Sequence, residues 1–309
     1  MFWGIVSGLA AGALWGLVYL IPKILSDYSA ADIAIGRYFF GAVVSIAYLA
    51  INRKKMTPLV TGKNIKAALL YGLLSYSLYY LVLVVAIQKS GPVPPTLIIG
   101  LLPIVIPILS HDKVLNRKLF FVSLTLILSG LVALNLPALW TQPDTFHSSM
   151  DWIEGILLSF FSLILWTVYA LKNAKFLSAN RKMDSFTWSS FLSLSAFVTI
   201  LPMWLALEKT VSFNTLPHFL TLKYLLWMAF TGIASSWLAN YFWNHASRHI
   251  PTALAGQLIV SETVFSLLYC YLYDWRLPTM SEFIASLLMV AGVIMGIHSF
   301  YKPHIKADA

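Results

Sequence analysis

The chain has 309 residues, 59% of them hydrophobic and only 11% charged, with a mean hydropathy of +0.77. A soluble domain carries about 45–50% apolar and about 25% charged residues, so a water-soluble globule is excluded and an integral membrane protein is expected. The single Cys270 leaves no disulfide framework and no thiolate metal site, and the net charge of +9 raises the question of where the cations lie.

A helix crossing a roughly 30 Å hydrocarbon core needs about 20 mostly apolar residues. That ruler predicts ten spans, at 3–22, 31–51, 65–87, 92–110, 117–136, 152–172, 184–207, 221–246, 252–273 and 279–301. The opening run MFWGIVSGLAAGALWGLVYLIPK has no basic residue before Lys23 and is longer than a signal peptide's apolar core, so it reads as a retained first helix. Gly4, Gly8, Gly12 and Gly16 recur every fourth residue in that span, and Gly292 and Gly296 repeat the spacing in the tenth. Small-residue ridges let helix backbones approach closely, inside a bundle or at a dimer face, so monomer and homodimer both stay open. Pro92, Pro94, Pro95, Pro103 and Pro107 cluster at and within the fourth span, where lost donors favour kinks. The connections are short, the longest being 137–151, and leave little room for a soluble domain.

With a cytoplasmic N-terminus, fifteen Lys and Arg fall on inside segments, from Arg53 to Lys306. Only Lys23, Lys89, Lys209, Lys223 and Arg276 fall outside, with Arg37 inside a helix. The positive-inside bias then places both termini in the cytoplasm and accounts for the basic charge without a nucleic-acid partner.

The chain also repeats itself. LWGLVYLIPKILS (14–26) parallels LWTVYALKNAKFLS (165–178) with one residue inserted, and VVAIQKSGPVPPTL (84–97) falls opposite NHASRHIPTALAG (244–256). Five spans per half is an odd number, so the halves must be inverted relative to each other, a common transporter plan with its site near the midplane. The expected units are a first repeat at 1–136, a linker at 137–151, a second repeat at 152–301 and a cytoplasmic tail at 302–309. LWG in the first span, GRYFFGAVVS (36–45) opening the second, VAIQKSGPVPPTLIIGLLPIVIPIL (85–109) and the closing LLMVAGVIMG (287–296) resemble the EamA type of the drug/metabolite transporter superfamily over nearly the whole chain. The resemblance implies a small-molecule transporter of the bacterial inner membrane, with export from the cytoplasm. It also marks a departure: the family pattern puts proline in the ninth span where this chain has Glu262, while the fourth span keeps it as Pro103.

Among twelve carboxylates, Glu262 alone is expected deep in a span; the others fall in loops, tails or first helical turns. A charge at the bilayer centre costs roughly 2.5–3.5 kcal/mol on insertion scales and usually marks a working site, here for proton exchange or contact with a polar solute. The competing reading is a glutamate hydrogen-bonded to a neighbouring helix for packing. Arg37 stands near the end of its span, to pair with a solute carboxylate, hold a helix terminus or snorkel. Trp237, Asn240, Tyr241 and Asn244 form one stripe of the eighth helix, which facing lipid would leave amides unsatisfied. With Tyr76, Tyr79 and Tyr80 of the third span and Trp166 and Tyr169 of the sixth, they suggest an aromatic cavity for a flat or zwitterionic solute; interhelical packing is the alternative. His245 and His249 stand four apart but lack the glutamate of a zinc helix, so no metal and no cofactor are expected.

No phosphate-binding loop and no nucleophile elbow are present. The reading is a secondary transporter, not an enzyme, exporting small polar or aromatic metabolites such as amino acids, driven by an ion gradient, with protons one candidate, by exchange or by downhill flow. Drug efflux, uptake by the same fold, and a membrane enzyme acting on a lipid-linked substrate are the alternatives.

Overall fold

The computed structural model describes residues 1–91, 93–140, 149–207 and 220–300. These form ten helical rods: α1 (Phe2–Ile24), α2 (Ala30–Ile51), α3 (Gly62–Ser90), α4 (Val93–Leu109), α5 (Arg117–Trp140), α6 (Ser149–Ala179), α7 (Ser185–Leu207), α8 (Leu222–Thr231 continuing through Gly232–Leu238 and Ala239–His249), α9 (Thr252–Asp274) and α10 (Met280–Ser299). Eight are long and apolar enough to cross a membrane. Rod α4 is apolar but shorter, and α8 is long but carries the polar segment ANYFWNHASRH. Helices α5 and α6 extend to Trp140 and from Ser149, taking residues from both ends of the expected linker. Residues 141–148 of that linker and the expected tail lie outside the described residues.

Large apolar side chains point outward, including Phe39 and Ile46 on α2, Phe121 on α5 and Leu157 on α6, as a lipid-facing surface requires. Inside, α1 lies on α8 and α9, while α6 lies on α3 and α4. Helix α2 packs on α7, α5 on α10, and α4 on α9. Each of these contacts has its counterpart when the two groups of five are exchanged.

The irregularities are paired too. A π-helical turn interrupts α3 at Leu73–Ser77 and α8 at Gly232–Leu238. Helices α4 and α9 both loosen at mid-length into i→i+3 bonds, through Ile98, Leu101 and Ile104 in one and Gly256, Ile259 and Glu262 in the other. The ninth helix thus breaks regularity in the turn that leads into Glu262.

The glycine ridge of α1 faces inward. A Cβ on Gly8 would meet Leu258, one on Gly12 the Glu262 amide nitrogen at 2.9 Å, and one on Gly16 the Glu262 carbonyl at 3.0 Å. The backbones of α1 and α9 therefore touch around Glu262. Beyond the ridge, Pro22 cannot supply a backbone donor, and the preceding turn tightens into a 3₁₀ segment at Leu17–Tyr19. At that end Lys23 pairs with Asp274 at 2.5 Å, and Arg276 grips Glu282 through two 2.8 Å hydrogen bonds. Lys89 joins α3 to α6 through Asp151 at 2.8 Å and Glu154 at 2.6 Å.

Candidate functional site

Glu262 stands in the middle of α9, three residues past the loosened turn at Ile259. Close approach of α1 brings Tyr19 opposite it, and the Tyr19 phenol pairs with the Glu262 carboxyl. The Tyr79 phenol of α3 and the Arg37 guanidinium of α2 lie within electrostatic range of the same carboxyl. Tyr19 is 54% accessible. Glu262, Tyr79, Tyr76 and Arg37 are half-buried.

Arg37 sits two turns into α2, not at its end. Its Nη2 donates to the Tyr38 hydroxyl at 2.8 Å, its guanidinium covers the Tyr38 ring at 4.8 Å, and its Nε has no partner. Arg37 and Glu262 thus lie within electrostatic range, and among the described residues they form no ion pair. Tyr38 meets Tyr76 edge to face at 5.5 Å, and the Tyr76 hydroxyl donates to Asn240 Oδ1. The Asn240 amide nitrogen donates to the Ser236 carbonyl, freed by the π turn.

Three tryptophans from three helices meet beside this group. Trp15, Trp166 and Trp243 stand 5.6–6.3 Å apart, and Tyr169 lies 5.6 Å from Trp166. Trp15 and Trp166 keep partly accessible faces, whereas Tyr169 is only 1% exposed. The structure therefore gathers Glu262, Arg37, Tyr79, Tyr80, Asn240, Trp166 and Tyr169 around one region, with Tyr80 within electrostatic range of Arg37.

Trp237, Tyr241 and Asn244 sit elsewhere. Trp237 Nε1 donates to Ser190 Oγ at 2.8 Å, and Tyr241 stacks on Phe186 at 3.7 Å. Asn244 is wholly buried: its Nδ2 donates to Ser189 Oγ, and its Oδ1 accepts from Asn173 Nδ2, both at 2.9 Å. Trp188 Nε1 extends the chain to Asn173 Oδ1 at 2.7 Å. These contacts clasp α6, α7 and α8 together.

Tyr19 and Trp15 are site residues that span-by-span reading passes over. The signal was available, because LWGLVY (14–19) aligns with LWTVY (165–169), whose Trp and Tyr are on the expected wall. Among the described residues no group of three or more His, Cys, Asp or Glu could hold a metal ion. Chemically, this group of side chains offers one carboxyl, one guanidinium, several phenols and aromatic faces. That set can hold opposite charges of one small solute and flank a flat body.

Residues 2–136 match the EamA-like transporter family. Over 97% of its length the chain is 29% identical to the inner membrane protein YtfF of Escherichia coli (strain K12), covering 96% of that protein. A solved crystal structure superposes with a TM-score of 0.73 over 96% of this chain and 97% of the other, at 18% identity, and shares the fold. The family match over the first group of five helices and the full-length relative agree: residues 2–136 carry an EamA-like transporter domain, and the chain as a whole is similar to an inner membrane protein.

Proposed function

We propose that this protein is a secondary transporter that exports small zwitterionic metabolites, amino acids first, from the cytoplasm by alternating access. Its place would be a bacterial inner membrane, like that of the relative YtfF, with both termini cytoplasmic. One observation carries the reading: a carboxyl, Glu262, and a guanidinium, Arg37, lie within electrostatic range of each other among aromatic side chains and form no ion pair among the described residues. A solute bearing both charges completes two pairs at once. Glu262 releases or takes a proton as the cavity changes sides, which couples the flux to the proton gradient. Tyr79, Tyr80 and Trp166 line the site, with Tyr19 added beside Glu262, and the buried Asn240 and Tyr169 support them from behind.

The tryptophan trio favours one second reading, efflux of flat toxic compounds through the same cavity. The test compares the growth medium of cells expressing wild type with that of cells expressing equal amounts of Glu262→Gln, by untargeted mass spectrometry. Accumulation of an amino acid or similar zwitterion outside wild-type cells alone supports the proposal. Equal accumulation with both proteins removes Glu262 from the mechanism. Depletion of a solute from the medium reverses the direction to uptake.

A further inference from the structure

We propose that the groove where α1, α5 and α10 meet at their 2, 117 and 298 ends binds an anionic phospholipid of the adjoining leaflet. The groove has a volume of about 1170 Å³ and is lined by Phe2, Ile5, Leu119 and Ile297 below a basic rim of Arg117, Lys118 and His298. An apolar floor with cations on one edge matches a phospholipid, with the phosphate on the rim and an acyl chain over the floor.

Three observations carry this assignment. First, the rim cations are unspent. Among the described residues, neither Arg117 nor Lys118 pairs with a carboxylate, whereas Lys23, Lys89 and Arg276 at the opposite end all do. Asp112, the nearest carboxylate in sequence, accepts from the Ala253 amide at Oδ2, 2.7 Å away. Secondly, these cations open α5, whose first turn holds no acidic residue. The helix dipole favours an anion there and disfavours two cations, so an external phosphate satisfies both. Thirdly, the rim is rigid and continuous with the lipid-facing wall. The amides of Leu115 and Asn116 both bond the Ser299 carbonyl, at 3.1 and 3.0 Å, tying the α5 entry to the α10 exit. Outward from it run Phe121, Val122 and Ile294, all exposed.

The site is independent of the transported solute and is tested without transport. The purified full chain in detergent is titrated with phosphatidylglycerol, phosphatidylethanolamine or inorganic phosphate, and bound lipid is read by native mass spectrometry. The wild type is expected to retain phosphatidylglycerol over phosphatidylethanolamine, and Arg117→Gln/Lys118→Gln to lower phosphatidylglycerol retention by about thirtyfold, from two interfacial cations. Both side chains are exposed, so their neutralisation leaves the fold intact. Lys63→Gln/Lys66→Gln removes the same charge from α3, at the end of the bundle that the positive-inside count assigns to the rim as well, and is expected to keep the wild-type value. Unchanged retention in the first variant, or equal loss in the second, overturns the site. Competition by inorganic phosphate at the same concentration also overturns it, by reducing it to a simple anion contact.

Discussion

Two tyrosines occupy the same word of a repeated sequence and lead different lives. Tyr19 closes LWGLVY on α1, stands 54% accessible and faces Glu262. Tyr169 closes LWTVY on α6, is 1% exposed and packs against Trp166 and Tyr71. The difference has two local causes. Between its Trp and its Tyr the first copy carries one extra residue, which turns the tyrosine by about 100° around its helix. It also carries Pro22, which tightens the turn at Tyr19, whereas α6 continues unbroken to Ala179. Glu262 and Pro103 repeat the lesson on α9 and α4. Symmetry supplies the scaffold, and small departures from it place the chemistry.

If that contrast is right, the closed side answers to mutation in stability and the open side in transport. Asn244→Ala strips partners from the buried Asn173 amide and Ser189 hydroxyl, and should destabilise the protein by about 2–4 kcal/mol in thermal unfolding. Its solute KM should stay at the wild-type value; a large KM change would put Asn244 on the cavity wall after all. Tyr19→Phe removes a hydrogen bond to a charged group, worth about 1.5–3 kcal/mol, so transport should fall by about tenfold or more with an unchanged melting temperature. Asp184 caps α7, accepting from the Thr187 amide at 3.0 Å, and Asp184→Ala should cost about 1 kcal/mol of stability with transport per folded molecule unchanged. Tyr169→Phe is the smallest: its hydroxyl has no partner, so both stability and flux should move by less than about 0.5 kcal/mol. A Tyr169→Phe loss as large as that of Tyr19→Phe would erase the contrast.

Composition and hydropathy alone display the ten rods, because a membrane span is a property of one continuous segment. The glycine ridge was legible as a packing surface, but its partner α9 lies over 240 residues away and only the fold names it. The same limit applies to the stripe on α8. Trp237, Tyr241 and Asn244 do share a helical face, yet α7 offers Phe186, Ser189 and Ser190 to match it. A polar stripe says that a polar neighbour exists, whether water or another helix. The π turns blur such counting further, since each adds a residue per turn at Leu73–Ser77 and Gly232–Leu238. Glu262 was legible because no helix neighbour is needed to recognise a carboxyl in the middle of an apolar run.

The ridge on α1 has a mechanical consequence. Gly4 through Gly16 press against the end of α8 and along α9 for four successive turns, with backbone meeting backbone at Glu262. No slack separates the two surfaces, so α1 is carried by helices of the other repeat, while α6 rides on α3 and α4 in return. In the proposed alternating access, the bodies that move against each other would therefore not be the two halves of the sequence. Each would carry the leading helix of the other, and the motion that reaches Glu262 would cross between the halves.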